Sequence, residues 1–426
     1  MKVLVIGGGG REHALVWSLL KSPEVTEVVC APGNGGIARI ARSIPTDVNS
    51  LDAMLKTVEA ERPALTVIGP EVPLSLGIVD ELTRRNLRVF GPTQAAAKLE
   101  SSKAFAKEFM QRHGIPTAAY AVCTSLDEVR DQLNRFTLPV VVKADGLAAG
   151  KGVVICETRL QAETAAAEMF SGALLGTTET EIVLEEFLTG EELSFFALCD
   201  GRHAAAIASA QDHKRVGEGD TGPNTGGMGA YSTDGLTTSA MRDWLTQNVA
   251  QKVVDGMAAE GQPFQGILFC GIMMTPRGPM VLEFNTRFGD PETQAILLRM
   301  KTDVLDLLNA SIDGTADSLD IEMHPGASVC VIAASGGYPG KYASGKPIHG
   351  LPAQPSDNVV VFHSGTAIKD GQLVTAGGRV LAITSMAPDL RTALDLAYAQ
   401  LAKISFDGMQ FRRDIGHRAL DALETR

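Results

Sequence analysis

The first hundred residues alternate short apolar runs with amphipathic segments, and this alternation limits the fold more than any other feature of the chain. Val3–Ile6 is followed by glycines and by a predicted helix over residues 11–21. The pattern repeats with apolar runs at 25–31 and 65–68. Short strands alternating with helices form βαβ units around an open parallel sheet, whose ligands bind beyond the carboxyl ends of the strands. Gly-rich segments follow the predicted strands there, at residues 7–10, 33–36 and 69–71.

The chain is too long for one ordinary core, since 426 residues exceed the roughly 100–200 residues of a typical domain. Its strand and helix signals predict an α/β and α+β multidomain protein. The N-terminal open parallel sheet would occupy residues 1–102. A central α+β domain at 103–325 would contain a mobile glycine-flap subdomain at 117–190, and a small α/β domain would follow at 326–426.

The acidic balance of the chain argues against one broad class of partners. Lysine and arginine total 38 against 50 aspartate and glutamate residues, which gives a formal net charge of −12. Broad nucleic-acid binding needs a basic surface, so it is not expected here. The sequence has no run of about 18 apolar residues that would predict a membrane-spanning helix.

The cysteines are scattered, at positions 30, 123, 156, 199, 270 and 330. None forms a Cys-x-x-Cys pair, and no Cys/His cluster has the spacing of a zinc site. Because most sit beside Val, Ile or Leu, we expect buried thiols in a reducing compartment. The apolar start, Met1–Gly7, is too short for a signal peptide, so the cytoplasm is the predicted location.

A glycine-rich turn, Gly7–Gly10, joins the first predicted strand to the first predicted helix. A helix N-terminus offers free N–H groups to a phosphate. The turn is not a dinucleotide fingerprint, because counting G-x-G-x-x-G from Gly7 places Glu12 where the last glycine belongs. A Rossmann dehydrogenase is therefore disfavoured, and tight packing of strand on helix is the competing interpretation.

A second glycine-rich segment, residues 145–152, lies between predicted strands at 139–144 and 153–156. It resembles a P-loop, but its glycine spacing is one residue short and Gly152 replaces the Ser or Thr that holds magnesium. A Walker loop also opens a helix, whereas this loop joins strands. We predict a glycine flap, with Lys143 beneath it, that covers a triphosphate with backbone N–H groups.

Four glutamates surround the turn at residues 185–192. Such a cluster is typical both of a solvated acidic turn and of a hinge. In the hinge interpretation, backbone groups near Glu186 and Leu188 would hold an adenine edge, and a glutamate would accept ribose hydroxyl groups.

The strongest signal lies at the end of the predicted strand 279–284. Alternate strand residues share a face, so Glu283, Asn285 and Arg287 are predicted to point together. Two hard oxygen ligands beside a guanidinium suit a magnesium ion that bridges phosphates, with the arginine countering phosphoryl charge. A cross-strand ion pair at a sheet edge is the competing interpretation.

A lysine before a glycine flap, an acidic hinge and a Glu-x-Asn-x-Arg strand together resemble the ATP-grasp ligases, which makes 103–325 the expected ATP-grasp domain. Within that superfamily the chain is similar to the phosphoribosylamine–glycine ligases, in order and over nearly its whole length. The segments that carry this resemblance are Gly8–Ala14, Pro32–Gly36, Lys143–Gly152, Gln211–Arg215, Asn224–Gly229 and Arg287–Glu292.

The resemblance implies a ligase of purine biosynthesis that joins glycine to 5-phosphoribosylamine. ATP would phosphorylate the glycine carboxylate, and the amine would then attack the glycyl phosphate. This route needs no covalent enzyme nucleophile, and the sequence has no recognisable Ser–His or Cys–His motif. Positioning and charge stabilisation would then carry catalysis. The implied metal is Mg²⁺ or Mn²⁺, and the implied partners are ATP and the two small-molecule substrates.

The resemblance also implies roles for individual residues. The expected metal ligands are Glu283 and Asn285. The expected ATP-binding residues are Lys103, Lys143, Gly146, Gly150, Lys151, Gly152, Glu185, Glu186, Leu188 and Glu192. The expected substrate-binding residues are Gly9, Gly10, Arg11, Glu12, Asn34, Gly35, Gly36, Glu71, Gly227 and Arg287. The expected catalytic residues are Arg287, Lys143, Asp212, Lys214, Asp290 and Glu292.

Some of these assignments are finer. The turn Gly9–Arg11 would hold the 5′-phosphate, Glu71 the ribose hydroxyl groups and Glu192 the ribose of ATP. The Gly-rich loop 217–229 would close over glycine as a lid, with simple disorder as the competing interpretation. Many ATP-grasp enzymes carry another metal carboxylate on the preceding strand, where this chain has Cys270-Gly271-Ile272. We therefore expect two protein ligands at each metal site.

Two other functions stay open on the sequence alone. One is another ATP-grasp ligase or a carboxylase that acts on a purine intermediate, and the other is a non-catalytic nucleotide-binding module. The segments 9–13 and 211–229 favour the glycine ligase. Neither nucleic acid nor a membrane is an expected partner, and a monomer or weak homodimer is the expected assembly.

Overall fold

The computed structural model describes residues 1–147, 152–174, 178, 180–353, 356 and 358–424. Its N-terminal part contains, in chain order, β1 (Lys2–Gly7), α1 (Gly10–Leu19), β2 (Glu27–Pro32), β3 (Arg42–Ser43), α2 (Leu51–Glu61), β4 (Leu65–Ile68), α3 (Glu71–Ser75), α4 (Ile78–Arg84) and β5 (Val89–Phe90). The five strands are parallel, in the order β3-β2-β1-β4-β5. The predicted open parallel sheet is confirmed, and the run Val3–Ile6 is fully buried at its centre.

One helix of this part differs from its prediction. The sequence pattern of residues 74–85 predicts a single helix, but the structure divides the segment between α3 and α4. Gly77 lies between them with a φ of +81°, a left-handed conformation that favours glycine and interrupts helical geometry. The apolar spacing on both sides of Gly77 suits a helix, which is why the pattern alone predicted one.

The next part is a small antiparallel sheet covered by helices. It contains α5 (Lys98–Ser101), α6 (Lys103–Arg112), β6 (Tyr120–Cys123), α7 (Leu126–Gln132), β7 (Val140–Ala144), β8 (Val153–Cys156), α8 (Arg159–Ser171) and β9 (Ile182–Glu186). Its strand order is β6-β9-β7-β8. Strands β7 and β8 pair with each other from Val140↔Cys156 to Lys143↔Val153. The glycine segment therefore joins two paired strands, as predicted. Gly150 and Lys151 lie outside the described residues.

A second, larger sheet runs through the rest of the chain. Its central elements are β10 (Glu191–Asp200), β11 (Ala204–Asp212), β12 (Arg215–Gly217), β13 (Thr221–Asn224), β14 (Gly229–Thr233), α9 (Ser239–Leu245), α10 (Gln251–Ala259), β15 (Gln265–Thr275), β16 (Gly278–Asn285), α11 (Glu292–Arg299) and α12 (Val304–Asp313). The C-terminal elements are β17 (Ala327–Ser335), β18 (Val359–His363), β19 (Thr366–Lys369), β20 (Gln372–Thr375), β21 (Arg379–Ala387), α13 (Leu390–Leu401), β22 (Met409–Gln410) and α14 (His417–Glu424).

The strands of the large sheet lie in the order β16-β15-β10-β11-β14-β17-β21-β18, and β22 pairs with β17. The C-terminal strands thus continue the central sheet through the pairing of β14 with β17, for example Tyr231↔Val329. The three-part α/β and α+β architecture is confirmed. The domain limits at 102 and 325 stay predictions, because hydrogen bonding continues across the second of them.

Two segments expected to be loops contain paired strands. Residues 217–229 were predicted as a glycine-rich lid, but β12 and β13 pair there as a short hairpin, with Arg215 opposite Asn224. Residues 364–378, whose glycines predict a loop, hold the hairpin of β19 and β20. The sequence pattern of residues 238–259 predicts one helix, which the structure interrupts with a π-helical turn at Thr246–Ala250. The β12–β13 hairpin lacks the apolar alternation on which a strand prediction depends. The β19–β20 hairpin carries an Asp370-Gly371 turn with both φ angles positive, a hairpin signal that the prediction did not use.

Arginines near the C-terminal end of the chain hold the β12–β13 hairpin through ion pairs and a hydrogen bond. Arg412 is fully buried, and its guanidinium pairs with Asp220 at 2.9 Å and donates to the backbone oxygen of Arg215 at 3.1 Å. Arg418 also pairs with Asp220, at 2.6 Å. The clustering of Arg412, Arg413 and Arg418 around His417 in the sequence predicts a solvated helical face. For Arg412 that prediction is wrong, because Arg412 is buried and Asp220 and Asp414 neutralise it.

The thiols behave as expected. All six cysteines are buried and none forms a disulfide. In the described part of the chain, no helix has the length and apolar character needed to cross a membrane.

Two histidines are buried as neutral groups where the parts of the chain meet. His13 Nδ1 accepts the backbone N–H of His363 at 2.8 Å, and His213 Nε2 accepts the backbone N–H of Gly416 at 3.1 Å. Burial, with a smaller contribution from His363, lowers the pKa of His13 to about 3. Burial also lowers the pKa of His213 to about 3, with Arg412 adding to the effect. Folding therefore selects the neutral form of both rings.

This burial predicts acid sensitivity of the fold. An unfolded histidine takes up a proton below its ordinary pKa of 6.5, whereas folded His13 and His213 do so only near about 3. The free energy of unfolding should therefore fall as the pH drops from 6.5 towards 3. Each histidine should contribute a loss of about 2 kcal/mol between pH 7.5 and pH 5. Urea unfolding at both pH values measures this loss.

The matched variants are His13→Asn, whose amide oxygen can replace Nδ1 as the acceptor, and His349→Asn at an exposed position. The first should reduce the difference between the two pH values, and the second should not. Equal pH dependence in both variants would contradict the assignment to His13.

Candidate active site

A cleft of about 750 Å³ separates the small sheet from the edge of the large sheet. Side chains of β7 and β8 face side chains of β15 and β16 across it. A smaller cavity of about 160 Å³ adjoins the cleft and extends towards α5 and α6. Small-molecule sites in proteins typically enclose roughly 300–1,000 Å³, so the cleft has the size of such a site.

One end of the cleft is apolar. The residues that line it are Val141, Val153, Ile155, Phe187, Leu188, Met273 and Leu282. Leu188 lies where the hinge interpretation requires it. The Glu186 carboxylate instead pairs with Arg277 at 2.7 Å and accepts the backbone N–H of Ala119 at 3.3 Å. This end offers a slot for a flat aromatic group, and the roles of Glu186 and Leu188 towards adenine stay predictions.

The Glu185 side chain points away from the hinge and lies between two lysines. Its carboxylate is 2.8 Å from Lys107 Nζ and 2.9 Å from Lys143 Nζ, and all three side chains are buried. Burial would raise the pKa of Glu185, but Lys143 and Lys107 hold it below its ordinary value. An adenine contact predicted for Glu185 cannot involve this carboxylate without breaking the pair.

Lys107 is a cavity residue that the sequence analysis missed. Burial lowers its pKa to about 8, against the opposing attraction of Glu185. It lies one helical turn after Lys103 on α6, so both lysines face the smaller cavity, and this i, i+4 spacing was the available signal. Lys103 Nζ donates to the backbone oxygen of Gly146 at 2.8 Å and so holds the start of the glycine segment. Gly146 and Gly152 line the same cavity, as predicted for the flap.

Glu283, Asn285 and Arg287 face one cavity, in agreement with the predicted alternation. Burial would raise the pKa of Glu283, but Lys214 and Lys143 outweigh it and keep the pKa below its ordinary value. Asn285 Oδ1 accepts a hydrogen bond from Arg287 Nη2 at 3.1 Å. An ionised carboxylate beside an oriented amide oxygen is a donor set that suits a hard divalent cation.

Arg287 is held between two carboxylates of the N-terminal segments. Its Nη2 lies 2.7 Å from Glu100 Oε1, and its Nε lies 3.3 Å from Glu71 Oε2. Burial would lower the pKa of Arg287, but Glu100 and Glu71 raise it above its ordinary value. Arg287 thus forms ion pairs, as the alternative interpretation expected, but its partners come from another part of the chain and not from a neighbouring strand. The sequence analysis did not identify Glu100.

The opposite end of the cleft is acidic. Asp212, Glu292, Lys214, Glu192 and Asp290 all line it. Lys214 pairs with Glu192 at 2.6 Å, which directs Glu192, the predicted ribose ligand, towards this end. Burial raises the pKa of Asp212 to about 7, with Lys214 opposing and Glu292 adding to the rise. Burial also raises the pKa of Glu292. Two buried carboxylates close to each other form a site for a cation.

The turn Gly9–Arg11 carries its own carboxylate partners. The Gly9 N–H donates to Glu12 Oε2 at 2.6 Å, and the Arg11 N–H donates to Asp290 Oδ2 at 3.2 Å. The Arg11 guanidinium bonds to Glu12 at 2.5 Å and to the backbone oxygen of Phe288 at 3.0 Å. Gly10 packs against Gln294 and Ser364. A 5′-phosphate at this turn would have to displace these carboxylates, so the geometry weighs against that assignment.

Asn34, Gly35 and Gly36 lie outside the lining of the described cleft and contact the C-terminal strands instead. Asn34 Nδ2 donates to the backbone oxygens of Gly8 and His363, at 2.9 and 2.7 Å. A side chain at Gly36 would overlap the ring of His363. These residues join the N-terminal sheet to the C-terminal strands. This glycine-rich loop at a strand end therefore packs closely against the C-terminal strands, and its substrate contacts stay predictions.

The C-terminal strands supply cleft residues that the sequence analysis missed, among them Arg379 and Tyr338. Arg379 Nη1 donates to the backbone oxygens of Gly226 and Asp290, at 2.6 and 2.7 Å. The Tyr338 hydroxyl accepts the N–H of Gly226 at 3.0 Å. Gly227 has a φ of +110°, and a side chain there would meet Pro291, so it shapes this wall without lining the cleft.

Known proteins of one family match this chain over nearly its whole length. Residues 1–100, 101–293 and 328–418 match the family models for the N domain, the ATP-grasp (A) domain and the C domain of phosphoribosylglycinamide synthetase. Phosphoribosylamine–glycine ligase of Xanthomonas campestris pv. campestris is 49% identical over 424 residues, which cover 99% of this chain and 98% of that protein.

Solved structures agree with this similarity. The crystal structure of phosphoribosylamine–glycine ligase from Thermotoga maritima matches with a TM-score of 0.87 and 34% identity, over 97% of this chain and 100% of that one. Biotin carboxylase from Campylobacter jejuni matches with a TM-score of 0.75 over 97% of this chain and 93% of that one. Its identity of 14% shows a common fold alone.

The lysine pair around Glu185 predicts the effect of one substitution. Lys107→Met keeps the length of the side chain but removes a cation that faces the predicted phosphate site. A hydrogen bond to a charged group is worth about 1.5–3 kcal/mol, so the affinity for a non-hydrolysable ATP analogue should fall about ten- to a hundredfold. Calorimetric titration measures this, with Lys98→Met at an exposed position of α5 as the control. Equal affinity in the two variants would contradict the role of Lys107.

Proposed function

Because this chain belongs to the phosphoribosylglycinamide synthetase family of phosphoribosylamine–glycine ligases, we propose that its cleft joins glycine to 5-phosphoribosylamine and converts ATP to ADP and phosphate. The observation that carries the proposal is the meeting of three groups at one cavity. A lysine pair, an oxygen-donor pair and a buried arginine all face it. The product is an amide between glycine and the amine of the ribotide. The reaction is a step of purine biosynthesis.

The chemistry accounts for these groups. A carboxylate is a poor acyl donor, because its leaving group would be an oxide. In the proposed first step an oxygen of the glycine carboxylate attacks the γ-phosphorus of ATP, the bond to the bridging oxygen breaks, and ADP leaves. In the second step the nitrogen of phosphoribosylamine attacks the carbonyl carbon of glycyl phosphate. Phosphate departs with the bonding electron pair, and the nitrogen loses a proton.

ATP would lie along the cleft with its adenine in the apolar slot and its phosphates at the lysines. Lys143 and Lys107 are fixed by Glu185, so they need little reorganisation to bind phosphate oxygens. Lys103 holds the start of the glycine segment through its hydrogen bond to Gly146. That segment is the predicted flap over the phosphates. Only the roles of Gly150 and Lys151 rest on the family resemblance without any described geometry.

Glu283 and Asn285 would hold the divalent ion, Mg²⁺ or Mn²⁺. A bound ion of this kind neutralises phosphate charge and orients the γ-phosphoryl group. Arg287 lies beside this pair and would stabilise the charge that develops on the transferring group. Its buried position between Glu71 and Glu100 keeps the guanidinium in one orientation.

Glycine would lie at the acidic end with its ammonium group between Asp212 and Glu292. Both carboxylates are buried, and burial raises the pKa of each. The charge of Glu292 adds to the rise at Asp212. A bound ammonium removes that repulsion. Lys214, paired with Glu192, lies close enough to Asp212 to shift its pKa and would face the glycine carboxylate. This arrangement directs the carboxylate of glycine towards the phosphates.

For the ribotide we propose a position between Glu71, Asp290 and the C-terminal wall. Arg379 is the nearest described cation to Asp290 on that wall, at 3.4 Å, and a 5′-phosphate requires cationic donors. The turn Gly9–Arg11 would then shape the floor through its bonds to Asp290 and Phe288. A monomer or weak homodimer in the cytoplasm completes the proposal, and the six unpaired buried thiols support a reducing compartment.

The direct test is substrate dependence. With Mg²⁺, ATP and phosphoribosylamine present, the purified protein should form ADP with glycine, and not with bicarbonate or formate. Radiolabelled glycine should appear in an amide-linked ribotide. ADP formation with bicarbonate but not with glycine would instead support the carboxylase.

A matched variant tests whether the cleft is catalytic at all. Glu283→Ala removes a proposed metal ligand and should abolish turnover while thermal unfolding stays cooperative. A non-catalytic nucleotide-binding module would have no glycine-dependent turnover to lose in either protein.

The raised pKa of Asp212 predicts how glycine binding depends on pH. Asp212 must be ionised to hold an ammonium group, and its pKa is about 7. Below pH 7 the affinity for glycine should therefore fall, approaching tenfold for each pH unit, while the affinity for the ATP analogue changes less. Calorimetry between pH 6 and 8.5, with the ATP analogue and Mg²⁺ present, measures both. Asp212→Asn should bind glycine weakly at every pH, and an unchanged pH profile in that variant would refute the assignment.

A further inference from the structure

We infer that Glu100 is a positioning residue for phosphoryl transfer, whose carboxylate holds Arg287 and, through Arg287, the oxygen of Asn285. The inference rests on the proposed function, because it assigns Glu100 a task in that reaction. Glu100 lies on α5, in the segment between the N-terminal sheet and α6. It neither carries a family motif in the sequence nor belongs to the strand that it supports.

Both oxygens of the Glu100 carboxylate are engaged. Oε2 accepts the backbone N–H of Thr286 at 2.7 Å and the Thr286 hydroxyl at 3.1 Å. Oε1 lies 2.7 Å from Arg287 Nη2. Thr286 is buried, and only 7% of the Glu100 side chain is exposed. The carboxylate therefore fixes the backbone immediately after β16 and the guanidinium that follows it.

The same guanidinium nitrogen continues the chain of contacts. Arg287 Nη2 donates to Asn285 Oδ1 at 3.1 Å, so the amide of Asn285 must present its oxygen rather than its nitrogen to this side. An amide oxygen has two lone pairs, and the second one stays available to a cation. Glu100 thus sets the orientation of Asn285, a proposed metal ligand, through the intervening side chain of Arg287. Such outer contacts commonly alter metal affinity or activity by about ten- to a hundredfold.

The position of Glu100 in the chain gives the arrangement a further consequence. Glu100, Lys103 and Lys107 lie within one short stretch and all line the smaller cavity. Displacement of that stretch would move the phosphate-facing lysines and the support of Arg287 together. The lysines that face the phosphates and the support of Arg287 therefore share one stretch of chain, formed by α5 and α6.

A merely structural ion pair would behave differently. Loss of such a pair would lower stability without changing turnover or metal binding of the folded protein. Loss of a positioning contact changes kcat and the affinity for the metal even where the fold and the adenine slot are intact. Measurements of metal binding, turnover and unfolding in the same variants separate these two roles.

The experiment compares Glu100→Gln with Glu108→Gln, a change of the same kind at an exposed position of α6. The glutamine oxygen can still accept from Thr286, but its NH₂ group cannot accept from Arg287. In Glu100→Gln, kcat for glycine-dependent ADP formation should fall at least about tenfold, with a smaller change in KM for ATP. The Kd for Mn²⁺, measured by electron paramagnetic resonance on the protein with ADP, should rise about tenfold or more. Glu108→Gln should match wild type.

A second variant covers the case in which Glu100→Gln does not fold. Glu100→Asp keeps the charge on a shorter side chain and should recover part of the Mn²⁺ affinity and kcat relative to Glu100→Gln. If only Glu100→Asp folds, it should still fall below wild type in both quantities, and wild-type values would overturn the inference.

The outcomes also separate this inference from the proposed function. Absence of glycine-dependent ADP formation in wild type overturns the proposed function, whatever the Glu100 variants do. An active wild type with kcat and Mn²⁺ affinity unchanged in Glu100→Gln overturns only the role of Glu100. A lowered unfolding temperature with unchanged kcat and Mn²⁺ affinity has the same meaning.

Discussion

The pairing of Arg287 with Glu71 and Glu100 is the interaction on which the site depends. A buried guanidinium without partners would carry a large desolvation penalty, so its place in the cleft requires both carboxylates. They come from the first hundred residues, whereas Arg287 follows β16. The N-terminal segments and the large sheet must therefore come together before Arg287 has its partners in the cleft.

The same principle explains how an acidic chain can bind a triphosphate. The net charge of −12 is spread over the whole molecule, but the cleft and the smaller cavity beside it collect Lys103, Lys107, Lys143 and Lys214. Glu185 pairs with Lys107 and Lys143, and Glu192 pairs with Lys214. Because the cations are held by anions of the fold, they are oriented before any ligand arrives.

The sequence predicted those parts of the site that depend on local spacing. Alternation along one strand predicted that Glu283, Asn285 and Arg287 share a face, and glycines between two apolar runs predicted the strand-flanked flap above Lys143. Contacts between distant segments were not predictable in this way. Gly36 and Asn34 lie in a Gly-rich loop at a strand end, where they pack against His363 from the C-terminal part. Sequence proximity to a strand end did not reveal that distant partner.

The sequence by itself determined most of the strands and helices and the kinds of side chain available for phosphate, metal and amino-acid binding, since these follow from periodicity and functional groups. Only the tertiary structure decided which side chains meet. It turned Glu185 from the hinge towards two lysines, brought Lys107, Glu100 and Arg379 into the site, and gave the Gly9–Arg11 turn its own carboxylates. The physical reason is that buried charges and N–H groups must find partners, and those partners lie up to hundreds of residues away in the chain.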